Sequence, residues 1–201
     1  MTQTALKYLL VLVVWCLSSP SWAADRKAWG QLTDCQYVEQ TYNDGDSFHV
    51  QCGAQEFVVR LYFVDAPEPT LRYPERTGEQ SEYFGVTLDE ALRAGRQARA
   101  MVRETLQTPF VVWTRWASAA GRTRVPRYYG FVAVGGQSLA ELLVSQGLAR
   151  TKGIRATGPT GEPAHAVEQK LSALEQDAKQ HKKGVWATST LAHTAPTPSA
   201  R

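Results

Sequence analysis

Cysteine is scarce in this chain, with three in 201 residues, and one of them, Cys16, falls inside an N-terminal apolar run. The remaining two, Cys35 and Cys52, have no metal-ligand spacing to another cysteine. The four histidines, His49, His165, His181 and His193, form no zinc pattern either. A strong charge of one sign is also missing. The formal net charge is +3, so the basic residues act by local placement and not through a broad field. No apolar run reaches the ~20 residues that a membrane-spanning helix needs, and no segment repeats.

The N-terminus has the layout of a secretory signal. Lys7 supplies a positive start, Leu9 to Leu17 an apolar core, and Ser18 to Ala24 a Pro20 break with small residues around a cleavage point at Ala23 or one residue later. A short membrane anchor is the other reading, and the shortness of the run speaks against it. Cys16 lacks the small residues before it that a lipoprotein acceptor has. The expected division is 1–23 signal peptide, 24–186 one domain and 187–201 a disordered tail rich in Thr, Ala, Pro and Ser. Export predicts a secreted or periplasmic protein with no stable membrane insertion after cleavage, read as a monomer. In an oxidising compartment an even pair of cysteines suggests a bridge. Cys35 and Cys52 flank the Asp44-Gly45-Asp46 turn at similar distances, so a hairpin brings them together; two inert thiols are the alternative.

Strand patterns cover Gln36 to Gln40, Phe48 to Val50 and Gln55 to Val64, the first two across a turn of Asn, Asp and Gly. Pro67, Pro69 and Pro74 predict a loop ending near Gly78. A helix follows, opened by a Thr87/Glu90 capping box and carrying Leu88, Ala91, Leu92, Gly95, Ala98 and Val102 on one stripe. Gly95 weakens this helix unless another backbone comes close. Phe110 to Trp116 and Tyr128 to Val134 read as strands. Ser138 with Glu141 predicts a second capping box, with Gly147 ending that helix. Val167, Leu171, Leu174 and Ala178 line a last helix that Gly184 stops. Five short strands with late helices predict an α+β fold: a five-stranded OB-type β-barrel with about three appended α-helices.

The densest chemistry lies in Asn43-Asp44-Gly45-Asp46-Ser47 and in Phe57 to Glu68. Arg60 threads a strand that is apolar on both faces, where an unpaired guanidinium is expensive to bury. It therefore needs a carboxylate partner or a cleft that anions visit. Asp46, Asp65 and Glu68 nearby suggest a hard-metal site beside an arginine, a combination suited to a phosphodiester. The plainer alternative is a buried salt bridge between Arg60 and Glu68 or Asp65, with Asp44 and Asp46 as turn residues. Arginines cluster at 93–103, 115–127 and 150–155, each of which also fits a solvated face. Tyr128, Tyr129 and Trp113 suit base stacking or simply core. His49 reads as a surface strand residue.

Taken in order, Asp44-Gly45-Asp46-Ser47, Arg60-Leu61-x-x-Val64-Asp65-Ala66-Pro67-Glu68, Arg127-x-x-Gly130-Phe131-Val132, Leu142 to Ala149 and Gly184-Val185-Trp186 resemble the thermonuclease (staphylococcal nuclease-like) family from about Asp34 to Trp186. The resemblance implies a calcium-dependent endonuclease acting on DNA and RNA with little sequence preference, freeing a 5'-hydroxyl and leaving a 3'-phosphate. It implies catalytic roles for Arg60, Glu68 and Arg127. It implies calcium ligation by Asp46, Asp65 and the Ala66 carbonyl, with Asp44 near the metal. Ala66 stands where the family often has threonine. Arg124 and Tyr129 are candidate substrate contacts. Val125-Pro126 departs from the commoner Tyr-Gly before Arg127, and Arg122 and Arg124 compete with it for the alignment. Gly153 lies where some members have a nucleotide-packing tyrosine, and Leu71 to Leu88 differs in length from the shortest members. Two rival readings remain: a non-catalytic OB-fold module that binds nucleic acid, and a calcium-stabilised interaction domain of the cell envelope.

Overall fold

A computed structural model describes residues 28–120 and 125–191. The signal-peptide expectation for 1–23 and the candidate contact Arg124 lie outside the described residues. Strands β1 (Gly30–Tyr37), β2 (Ser47–Cys52) and β3 (Gln55–Leu61) form an antiparallel meander. After the two-residue β4 (Val64–Asp65) come helices α1 (Pro74–Phe84) and α2 (Leu88–Thr105). Strands β5 (Phe110–Ser118) and β6 (Arg127–Val134) then add to β1, and β6 pairs in parallel with β3, which closes a five-stranded barrel. Strand β7 (Gln137–Ser138) extends the edge, and α3 (Leu139–Ser145) follows. Strand β8 (Arg150–Thr151) pairs with β4, and α4 (Ala164–Gln180) leads to a 3-10 turn at Gly184–Ala187. This is the expected OB-type barrel with appended helices.

Alternation supplies the barrel core: Phe57, Val59 and Leu61 from β3, Phe110 and Val112 from β5 and Val132 from β6 are buried. They meet Ala98 and Val102 from α2, Leu106 at its C-cap, and Leu139, Leu143 and Val144 from α3. Each large apolar side chain buried this way contributes roughly 1.5–3 kcal/mol. The Cys35–Cys52 disulfide joins β1 to β2, beside the Gln36–Gln51 pair of the ladder. Among the described residues no helix is long and apolar enough to cross a membrane.

The fold departs from the sequence reading at four places. The described residues form four α-helices, where about three were expected, because Pro74 opens α1 at its first positions, where a missing N–H does no harm, and does not prolong the loop. His49 is buried, because β2 lies between β1 and β3 and is covered on both faces; Tyr42 Oη bonds its Nδ1 at 2.6 Å. The Ser138 cap is one-sided: its hydroxyl accepts from Glu141 N, while the Glu141 carboxylate pairs with Lys170 at 2.8 Å. The first residues of the expected tail are held to the body: Ser189 Oγ donates to the Phe84 carbonyl at 2.6 Å and Thr190 N to that of Gly85 at 2.8 Å. The rest of the expected tail, from 192 onward, lies outside the described residues.

Helix α2 positions the loops at the barrel mouth. Its Thr87/Glu90 capping box is complete in both directions. A Cβ on Gly95 would sit 2.3 Å from the Glu68 carbonyl oxygen and 2.6 Å from that of Pro67. The glycine therefore lets the loop after β4 lie directly on the helix. A Cβ on Gly45 would sit 2.7 Å from Ala98 Cβ and 2.8 Å from Ala66 Cβ. One stripe of small residues on α2 thus fixes both the Asp44–Asp46 turn and the Ala66–Glu68 segment.

Candidate active site

Asp44 shapes the turn before β2. Its Oδ1 accepts the backbone N–H groups of Asp46, at 3.0 Å, and of Ser47, an Asx-type closure. Asp46 is thereby turned inward, 1% exposed. Its Oδ2 accepts the Ala66 N–H at 2.8 Å, which ties the turn to the segment after β4. Arg60 leaves β3 opposite Ser47. Its Nη1 bonds Asp46 Oδ1, and its Nη2 reaches Asp65 Oδ1 at 3.3 Å. The guanidinium is well buried, yet Asp46, Asp44 and Asp65 outweigh burial and raise its already high pKa.

Asp65 ends β4 and is the hub. Oδ1 also takes Arg76 Nη2 at 2.6 Å; Oδ2 takes Arg150 Nε at 2.8 Å and Gln80 Nε2 at 3.1 Å. Burial pushes this carboxyl up, but Arg76, Arg150, the Gln80 bond and Arg60 together bring it below its ordinary value. Glu68 lies three residues on, buried to 7% exposure. Burial raises its pKa; Arg76 lowers it, and Asp46 and Asp65 add to the rise, so the net is upward. Burial, then Asp46, drive Asp44 well up, with Arg60 opposing. Burial and neighbouring carboxylates thus act together on Asp44 and Glu68.

Arg127 begins β6. The parallel register pairs Val58 with Arg127 and Arg60 with Tyr129, so Arg60 and Arg127 lie two steps apart along adjacent strands and share a face. Arg127 Nη1 donates to the Ala120 carbonyl at 3.1 Å. Burial lowers its pKa and Arg60 lowers it further, against the pull of Asp46 and Asp44. Tyr129 stacks on Tyr62 with ring centroids 5.1 Å apart, so one face of its ring is already used inside the protein. Tyr128 packs edge-on against Trp116 at 5.2 Å and against Phe57 at 6.0 Å.

Three residues that hold this centre escaped the sequence reading. Gln80 of α1, fully buried, donates to Asp65 and to the Ala66 carbonyl, at 2.8 Å for the latter, and accepts the Glu68 N–H at 2.9 Å. Arg150, read as part of an arginine cluster, is 1% exposed and forks between Asp65 and Glu79 above the Tyr83 ring. Arg76 touches Asp65 and pairs through Nε with Glu68 Oε1 at 2.8 Å. Arg76 and Gln80 lie four apart, which puts them on one face of α1; that face was invisible while the segment was read as a loop.

The donor set fits a hard cation in kind: carboxylates and a backbone carbonyl, with no sulfur or imidazole. The Ala66 carbonyl has a second lone pair beyond the one facing Gln80. Among the described residues no three His, Cys, Asp or Glu side chains form a ready-made metal cluster, because guanidinium groups stand between the carboxylates. Calcium ligation therefore requires those cations to yield some of their contacts.

The family model described as "Staphylococcal nuclease homologue" matches residues 58–188. The match takes in Arg60, Asp65, Glu68, Arg127 and the helical segment with Arg76 and Gln80. Asp44 and Asp46 precede it, and they join the same centre through the bonds of Asp46 to Arg60 and Ala66.

Proposed function

The chain belongs to the staphylococcal nuclease homologue family, and from that premise we propose that it is an exported, calcium-dependent endonuclease that hydrolyses phosphodiester bonds of DNA and RNA. The observation that carries this reading is the convergence of Asp46, Asp65 and Glu68 with Arg60 at one end of a barrel. A non-catalytic binding module has no need to bury such a set, since backbone phosphates are held as well by exposed cations.

Asp46, Asp65 and the Ala66 carbonyl would hold the ion, with Asp44 behind them. Bound calcium would neutralise charge on the non-bridging phosphate oxygens. Glu68 takes the proton from the attacking water, and burial makes it a better base than an ordinary carboxylate. Arg60 grips the phosphate with its planar fork, more strongly as charge builds on the oxygens. Arg127, on the same face of the neighbouring strand, supplies a second fork. Neither arginine serves as a free proton donor, because a guanidinium keeps its proton at any working pH. Arg124 and Tyr129 remain our candidates for backbone and base contacts.

The test is turnover on DNA and on RNA with calcium, with magnesium and with a chelator. Flexible oxygen ligands on loops suit calcium better than strictly octahedral magnesium, so activity is expected with calcium, little with magnesium and none with the chelator. Equal turnover in magnesium with calcium rigorously removed would overturn the metal assignment. Binding without cleavage under every condition would favour the non-catalytic module.

A further inference from the structure

Arg76 stands in the first turn of α1, two residues after Pro74. Its Nη2 lies 2.6 Å from Asp65 Oδ1 and 3.7 Å from Asp46 Oδ2, and its Nε lies 2.8 Å from Glu68 Oε1. One guanidinium therefore addresses both proposed ligand carboxylates and the proposed base. Calcium binds carboxylate oxygens at about 2.3–2.6 Å. An ion shared by Asp46 and Asp65 would compete with Nη2 for the same carboxylates.

Of the two arginines between these carboxylates, Arg76 is the one free to leave. Its side chain is 37% exposed against 12% for Arg60. Arg60 is rooted in β3, which pairs on one side with β2 and on the other with β6. Helix α1 itself stays put, since Gln80 bonds Asp65, Ala66 and Glu68 and Glu79 pairs with Arg150. Rotation of one long side chain at the helix start is enough.

We propose that Arg76 is a resident cation of the carboxylate cluster, which neutralises Asp46, Asp65 and Glu68 until calcium displaces it. The inference rests on the calcium reading above and adds that this chain binds the ion in competition with its own side chain. Apparent affinity is reduced by the fraction of molecules in which the site is open. If Arg76 occupies the site in roughly ninety to ninety-nine molecules of every hundred, its removal tightens calcium by about 10–100-fold.

The experiment is calcium titration by calorimetry, with melting temperatures in chelator and in saturating calcium, for wild type, Arg76→Ala, Arg76→Gln and Arg72→Ala. Arg72 is an exposed neighbour of equal charge whose guanidinium lies over the Tyr73 ring at 5.6 Å, so it reports the long-range field alone. Both Arg76 variants are expected to bind calcium about tenfold or more tightly. They should melt lower than wild type in chelator and close to it in calcium. Arg72→Ala should shift affinity far less. Equal calcium affinity in wild type and the Arg76 variants would overturn displacement while leaving the calcium reading intact. So would an equal loss of melting temperature in both conditions, or an Arg72→Ala effect as large as that of Arg76→Ala. Failure of wild type and both Arg76 variants to bind calcium would overturn the calcium reading and this inference together.

Discussion

The barrel and helix α1 each deliver an arginine to Asp65, and they do so in opposite ways. Arg60 comes from the end of β3, in a barrel whose first two strands are joined by a disulfide, with Asp46 on one arm of its fork and Asp65 on the other. Arg76 comes from the first turn of a surface helix and reaches Asp65 and Glu68 from the solvent side. The barrel arginine is fixed by strand pairing, which suits a group that must be in place before the substrate arrives. The helix arginine is held only by the charges it meets, which suits a group that can be exchanged. Rigidity in one region and exchangeability in the other divide the labour around a single carboxylate.

The largest expected effect separates the two directly. Arg60→Ala should lower kcat by about 10²–10³-fold, on the scale of a lost transition-state donor. Arg60→Lys should not rescue it, because one ammonium does not replace a bidentate fork. Arg127→Ala should fall in the same range if it is the second fork. A mild Arg127→Ala together with a severe Arg124→Ala would show instead that Arg124 fills that role. Steady-state kinetics on a defined oligonucleotide measures each.

Next comes the scaffold on either side. The Cys35–Cys52 bridge closes a loop of 17 residues in sequence separation, and a loop of that size contributes roughly 3 kcal/mol in the chain-entropy model. A double Ser variant should lose about that much in chemical denaturation and keep its kcat when folded. On the α1 side Gln80→Ala removes three buried bonds and leaves the Glu68 N–H and the Ala66 carbonyl short of partners. It should cost about 2–3 kcal/mol, and unlike the barrel variant it should also reduce kcat, because Glu68 loses its backbone anchor.

The smallest effect is a pH dependence on the α1 side. Bonding to Arg150 and Lys152 pulls the Glu79 carboxyl from 4.5 down to about 2. A lowered folded-state value means the pairing stabilises the protein above pH 4.5, and the stabilisation fades as pH falls toward 2. Glu79 is about half exposed, so screening keeps the term small. Unfolding free energy measured across that range should slope less in Glu79→Gln than in wild type. Parallel slopes would mean that this pair carries no acid sensitivity.

Much of the barrel side was legible in the sequence, and most of the α1 side was not. A run of apolar residues on both faces from Phe57 to Leu61 gives a strand, and an arginine within it demands a partner, so Arg60 and its carboxylates follow from local pattern and the expense of burial. Gly95 could be read as a close approach, though not what approaches; the backbone of Pro67 and Glu68 is a long-range fact. Helix α1 was hidden because three prolines looked like one loop, and Pro74 is equally at home at a helix start. With the helix unseen, Arg76, Glu79 and Gln80 were merely polar residues. Arg150 was misread for a related reason: its burial depends on β4 pairing with β8, a contact 85 residues apart in sequence. His49 likewise depends on which strands flank β2, and a three-residue pattern does not carry that.

The most direct test of the central claim is a paired measurement on Glu68→Gln. The substitution keeps size and polarity, removes the proton acceptor and leaves Arg60, Asp46 and Asp65 in place. In calcium, turnover should fall by roughly 10²-fold or more, while DNA affinity at the same salt concentration stays close to wild type. Unchanged turnover in Glu68→Gln would contradict the hydrolytic mechanism assigned to this centre.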